Sequence, residues 1–119
     1  MVRDDGLDIL LSLHGEFFVD DSGYWQKIEA WQVPVTHAIP HGLRYSLTLH
    51  DRYNRRLLGY DNAHAVKPVR KKYAARRHVA WDHKHSNPQD TGIHYEFVSA
   101  LQLLEDFFTD VNIYLETIR

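Results

Sequence analysis

The sequence predicts an α+β fold, with an antiparallel sheet of about five strands packed against a long C-terminal helix. Three observations carry this. Leu43 to His50 alternates, with Leu43, Tyr45, Leu47 and Leu49 on one side and Arg44, Ser46, Thr48 and His50 on the other. Asp51-Arg52-Tyr53-Asn54 then reads as a hairpin turn into a strand over Arg55–Tyr60. Val98, Leu101, Leu104, Phe108, Val111 and Leu115 repeat at helical period, widened by Phe107, Tyr114 and Ile118.

From the start of the chain, residues 7–19 alternate loosely and read as extended, broken at His14-Gly15, with a turn at Asp20-Asp21-Ser22-Gly23. Tyr24 to Val33 reads as a long strand with Trp25, Lys27, Glu29 and Trp31 on one face. Pro34 to Gly42 is a loop. The basic segment 67–77 suits a loop or short helix. His78 to His85 reads as a strand with Val79, Trp81, His83 and His85 on one face, followed by a loop over Ser86–Gly92. Ser99 with Gln102 has capping-box spacing, and Val98 with Leu103 that of a hydrophobic staple, so the last helix starts near residue 100.

The 119 residues suit one compact domain, 1–119, and an apolar fraction of 44% with 25% charged residues is that of a folded globular chain. There is no cysteine, which excludes disulfides and thiolate metal sites. The apolar run Leu7–Leu13 is too short to span a bilayer and follows Arg3-Asp4-Asp5 rather than a positive leader, so the expectation is a cytoplasmic protein without a membrane partner. The net charge of −2 gives no overall attraction to nucleic acid. Locally the balance reverses. Lys67, Arg70, Lys71, Lys72, Arg76 and Arg77 fall within eleven residues around Tyr73, a pattern that suits phosphate tracking with one stacking ring. A solvated charged helix face would look the same.

This basic run is flanked by groups that move protons. His64 follows Asp61-Asn62 at a predicted strand end, where Asp61 could orient its ring; the same residues also suit a turn cap. His83 and His85, two apart on a strand, project about 6–7 Å apart from one face. Metal-free RNA cleavage needs a base, an acid and a cation on the phosphate. His64 with His83 or His85 could supply the first two, and Arg44 or Lys27 the third. Asp82 with His83 and His85 would equally suit part of a divalent metal site, while the chemistry as a whole needs no cofactor. Lys27 and Glu29, between Trp25 and Trp31, would join Arg44, Ser46, Thr48 and His50 in one cleft if the two faces coincide, or form a solvated sheet surface if they do not. No phosphate-binding glycine loop, dinucleotide fingerprint, His-Glu-x-x-His or nucleophile elbow is present.

The order His14-Gly15-Glu16, Lys27-Ile28-Glu29-Ala30-Trp31, Arg44-Tyr45-Ser46-Leu47, Gly59-Tyr60-Asp61-Asn62-Ala63-His64 and Asp82-His83-Lys84-His85 resembles the TumE-like family of small prokaryotic toxins. The resemblance implies a cytoplasmic growth inhibitor encoded beside a DNA-binding antitoxin that neutralises it. It implies no settled catalytic set. Small sheet-and-helix toxins are often metal-free ribonucleases, an analogy of class. The leading expectation is therefore an RNA-directed endoribonuclease. A non-enzymatic nucleic-acid or protein-binding module and a metal-dependent hydrolase centred on His83 and His85 stay open, as does homodimerisation.

Overall fold

The structure, a computed structural model, describes residues 5–62, 82–86 and 92–118. Helix α1 (Asp5–Ser12) precedes strands β1 (Phe17–Val19), β2 (Trp25–Gln32), β3 (Leu43–His50), β4 (Arg56–Asp61), β5 (His83–His85) and β6 (Ile93–His94), and helix α2 (Ala100–Thr117) ends the chain. The strands form one sheet in the order β1-β2-β3-β4-β5-β6, and each adjacent pair is antiparallel. The α+β expectation holds, with six strands among the described residues rather than about five, and a second helix.

That helix corrects the reading of residues 7–13 as extended. Leu7, Leu10 and Leu11 are spaced for one helical face, and Leu10 is fully buried. The helix packs against α2 so closely that a Cβ on Gly6 would fall on the backbone of Leu101. The register β2–β3 pairs Ile28 with Leu47 and Ala30 with Tyr45, so both strands turn the same set of apolar residues toward the helices. Leu58 and Tyr60 of β4 continue that face. Full burial of each such leucine contributes roughly 2 kcal/mol.

Helix α2 begins as expected, with the Ser99 hydroxyl accepting from the Gln102 amide at 3.0 Å. The reciprocal half of the box is not made, because the Gln102 side chain donates to Asp106 instead. The buried stripe is Ala100, Leu103, Leu104, Phe107 and Val111, whereas Leu101 is 42% exposed and Val98 71% exposed. The helix is therefore rotated from the expected stripe, and Val98 cannot staple Leu103. Polar clamps fix its other edge. Tyr60 donates to Asp110, Lys84 pairs with Asp110 at 2.8 Å, and Tyr95 donates to Asp106. Burial and these carboxylates push both tyrosine hydroxyls well above their ordinary pKa.

The β3–β4 hairpin turns where expected. Asn54 takes a left-handed φ of 65°, and the Asp51 carboxylate accepts from the amides of Tyr53 and Arg55. A register shift between Leu49 and His50 leaves Leu57 as an extra residue on β4, and both Leu57 and Leu58 are buried in the core. The expected strand over 78–85 is observed as His83–His85, since residues 78–81 lie outside the described ones.

Candidate functional site

The register gathers the polar side chains on the sheet face away from the helices. One row runs Glu29, Ser46, Asp61, His83 and His94, and the next runs Phe17, Lys27, Thr48, Gly59 and His85. The two faces that the sequence left separate thus coincide.

Asp61 closes β4 and is 9% exposed, in reach of both histidines of β5. Its Oδ2 lies 3.0 Å from His85 Nε2, and its Oδ1 lies 3.9 Å from His83 Nδ1. The two imidazole centroids are 6.1 Å apart. An ionised carboxylate only accepts, so the Nε2 facing Asp61 carries a proton. Behind His85 the backbone comes very close. Gly92 has φ +96°, and a Cβ there would lie 2.7 Å from His85 Cε1.

Asn62 fixes this arrangement from the next position. Fully buried, it accepts from the Tyr45 amide at 2.9 Å and donates to the Leu43 carbonyl at 2.6 Å, so its side chain pairs with β3 as backbone would. Arg44, a predicted phosphate cation, donates one arm to the Asn62 carbonyl at 2.8 Å. Lys27, the other, lies 3.6 Å from Glu29 and 5.7 Å from the Phe17 ring centre. Farther along the face, Trp25 stacks on His50 at 4.2 Å, and His50 Nε2 contacts Thr48 Oγ1 at 2.8 Å. Burial lowers the His50 pKa.

Asp82 does not join His83 and His85. Neighbours on a strand point to opposite faces, and Asp82 turns to the helix side. There it accepts from the Tyr45 hydroxyl and lies 3.0 Å from His41 Nε2. The His41 ring packs on Phe97 at 4.1 Å, and its Nδ1 accepts from the Leu43 amide. Burial and Asp82 push the Tyr45 hydroxyl far up. Among the described residues no three His, Asp or Glu side chains are placed to hold a metal, so the set Asp82, His83 and His85 is not brought together. His64 and the basic run Lys67, Arg70, Lys71, Lys72, Tyr73, Arg76 and Arg77 lie outside the described residues.

Sequence reasoning missed His41, Arg56 and Gly92. His41 sits in a Pro-Gly loop with no spacing signal, and Arg56 reaches the polar face only through the bulge.

Fold and site define a small α+β protein whose twisted sheet presents a carboxylate between two imidazoles. A family model described as "Toxin TumE" matches residues 6–115, and the chain belongs to this toxin family. Comparison with curated proteins and with solved structures finds no match. Among the described residues no helix is long and apolar enough to cross a membrane.

Proposed function

We propose that this toxin is a cytoplasmic endoribonuclease in which His83 and His85 transfer protons and Asp61 supports them. The observation that carries the reading is Asp61 between two imidazoles, 3.0 Å from one and 3.9 Å from the other. A carboxylate so placed orients one ring by a direct contact and holds the second within reach, and one RNA cleavage event needs one acid and one base. The centroid separation of 6.1 Å suits two hydrogen bonds of about 2.8 Å to the entering and leaving oxygens of one phosphodiester. The base takes the 2′-hydroxyl proton, that oxygen attacks phosphorus, and the bond to the 5′-oxygen breaks as the acid protonates it. The products are a 2′,3′-cyclic phosphate and a 5′-hydroxyl.

Lys27 and Arg44 stand on the same face and add positive charge near the phosphate, and the run 67–77 supplies a track for the rest of the RNA. His64 belongs to this reading as a further proton-transfer candidate, three residues beyond Asp61. Family membership supports a cognate antitoxin as the neutralising partner.

The test is induced expression in bacteria, followed by cleavage of total RNA by purified protein with and without chelator. Wild type arrests growth and leaves cyclic-phosphate ends in either buffer. Asp61→Asn, His64→Ala, His83→Ala and His85→Ala at equal soluble level separate the roles. Undiminished cleavage by both His83→Ala and His85→Ala would sink the assignment. Activity lost in chelator and restored by zinc or manganese would replace it with a metal-dependent hydrolase.

A further inference from the structure

Trp31 stands near the end of β2 on the polar face, two residues from Glu29 and paired across the strands with Arg44. It is 42% exposed, and these sheet neighbours are charged rather than apolar. Phe17, a second exposed ring on this face, is placed differently. It lies 5.7 Å from Trp25, and Val19 pairs with Trp25, so an apolar corner forms there. Trp25 in turn stacks on His50, and that corner packs on itself. A single tryptophan among charges leaves ring surface in water and offers a protein partner no continuous apolar patch.

The Trp31 ring is nevertheless held in place. The His14 imidazole meets it edge-on, with centroids 5.8 Å apart and planes at 68°. His14 is pinned as well, since its Nδ1 accepts from the Ala30 amide at 3.1 Å, one residue before Trp31. An exposed ring braced in this way loses little freedom when a second ring is laid on it. Its position matters as much. Arg44 reaches from beside Trp31 to the Asn62 carbonyl, 2.8 Å away and next in sequence to Asp61. By strand spacings Trp31 and Asp61 stand about 12 Å apart along the face. One short oligonucleotide spans that distance.

We infer that Trp31 is a base-stacking platform of the RNA-binding face, taking an unpaired base near the phosphate that Asp61, His83 and His85 attend. The inference rests on the ribonuclease reading for its substrate class, and it adds a binding ring that reading does not contain. Every base has a π-face, so an indole accepts any of them, provided the base is not already stacked in a duplex.

The experiment measures binding of a 2′-O-methyl oligouridine of about eight units, within the usual span of a single-strand site. Lacking the 2′-hydroxyl, it is not cut. The comparison probe is the abasic backbone of equal length and charge. Wild type, Trp31→Phe, Trp31→Leu and Trp31→Ala are titrated with both, and thermal melts show which remain folded. Trp31→Ala binds oligouridine about tenfold more weakly than wild type or worse, and Trp31→Phe stays within about threefold. Trp31→Leu, apolar but without a π-face, follows Ala and decides the matter if Ala disturbs β2. On the abasic backbone all four bind alike. A folded Ala or Leu variant within about twofold of wild type on oligouridine overturns the inference, on the scale of one stacked base. An equal loss on the abasic backbone, or no preference of wild type for oligouridine over it, does the same. Antitoxin binding lost in Trp31→Ala while oligouridine binding is intact assigns the ring to a protein partner instead. Oligouridine bound in the expected pattern by a chain that cuts no RNA leaves the platform standing and removes the ribonuclease. RNA cut by Trp31→Ala with unchanged KM does the reverse.

Discussion

The His41–Asp82 and His85–Asp61 pairs have the same nitrogen–oxygen separation, 3.0 Å, and lie on opposite faces of one sheet. Their surroundings differ. In the first, Asp82 also accepts from Tyr45, and the far nitrogen of His41 accepts from the Leu43 amide while the ring packs on Phe97. Each polar atom of that imidazole is committed to holding β3 against the chain entering β5. A proton moved through it would break a backbone hydrogen bond. In the second, Asp61 has another imidazole at 3.9 Å, beyond hydrogen-bond range, on the face that also carries Lys27, Arg44 and Arg56. A contact of that length can close or open as charge moves. The same dyad is thus a brace in one place and a candidate proton-transfer group in the other.

The sharpest way to break this comparison is to delete one imidazole from each pair. His85→Ala should reduce RNA cleavage per folded molecule by about three orders of magnitude, within the range for general acid–base groups. This comes on top of the stability lost when Asp61, its side chain 13% exposed, loses its partner at 3.0 Å. His41→Ala should lower stability alone. It leaves the Asp82 carboxylate, 14% exposed, without the Nε2–H donor of His41, at a cost of about 1.5–3 kcal/mol. Cleavage per folded molecule should stay near wild type. Thermal melts beside cleavage rates check both, and parallel losses in both variants would erase the distinction.

A smaller loss should follow from moving His85 instead of removing it. Gly92→Ala drives a Cβ to 2.7 Å from the His85 ring, so the ring must leave Asp61 and activity should fall at least tenfold. Because φ is +96° there, the backbone is strained as well, at about 1–2 kcal/mol. Gly15→Ala is the matched control. Its φ is +83°, and a Cβ there meets nothing within 4 Å. It should lose comparable stability and no activity. Equal activity in the two variants would show that Gly92 does not set the His85 position.

Next in size is Tyr45→Phe, which removes one donor from Asp82 and keeps the ring in the core. A hydrogen bond to a buried carboxylate contributes about 1.5–3 kcal/mol. A drop in stability of that order with unchanged cleavage is expected from denaturant titration. Impaired cleavage per folded molecule would mean that the brace also acts on β5.

What the sequence disclosed divides along similar lines. Leu43–His50 was legible because one face is apolar and the other polar at each successive residue, and the Ser99 cap because its hydroxyl acts locally. Residues 7–13 were misread because Leu7, Leu10, Leu11 and Leu13 satisfy either period in so short a run. The α2 stripe was displaced because Leu103–Leu104 and Phe107–Phe108 make the helix apolar over most of its girth, so packing against Gly6 and the sheet chose the face. Asp61, His83 and His85 were each visible as candidates. Their meeting depends on β4–β5 register, which is a long-range pairing that spacing cannot specify. The separation of Asp82 from His83 needs only strand alternation, which places neighbours on opposite faces.

The smallest effect expected concerns His50, the polar face's third kind of histidine, with no carboxylate bonded to it. Burial lowers its pKa most, and Lys27 and Arg56 add to that, against an opposing backbone contact at Asn54 and the charge of Asp51. The folded chain thus takes up this proton at lower pH than the unfolded chain. Stability from neutral His50 is fully present above the unfolded value of 6.5 and is lost as pH falls through the lowered folded value. Trp25, stacked 4.2 Å away, favours the cation and blunts the loss. Melting wild type and His50→Gln between pH 8 and 5 isolates this contribution, because the other histidines are common to both chains. Wild type should lose more stability than the variant below about pH 6.5. Curves that stay parallel would mean that stacking on Trp25 offsets the cost of burying the charge, making His50 a neutral partner of the ring rather than a pH-dependent one.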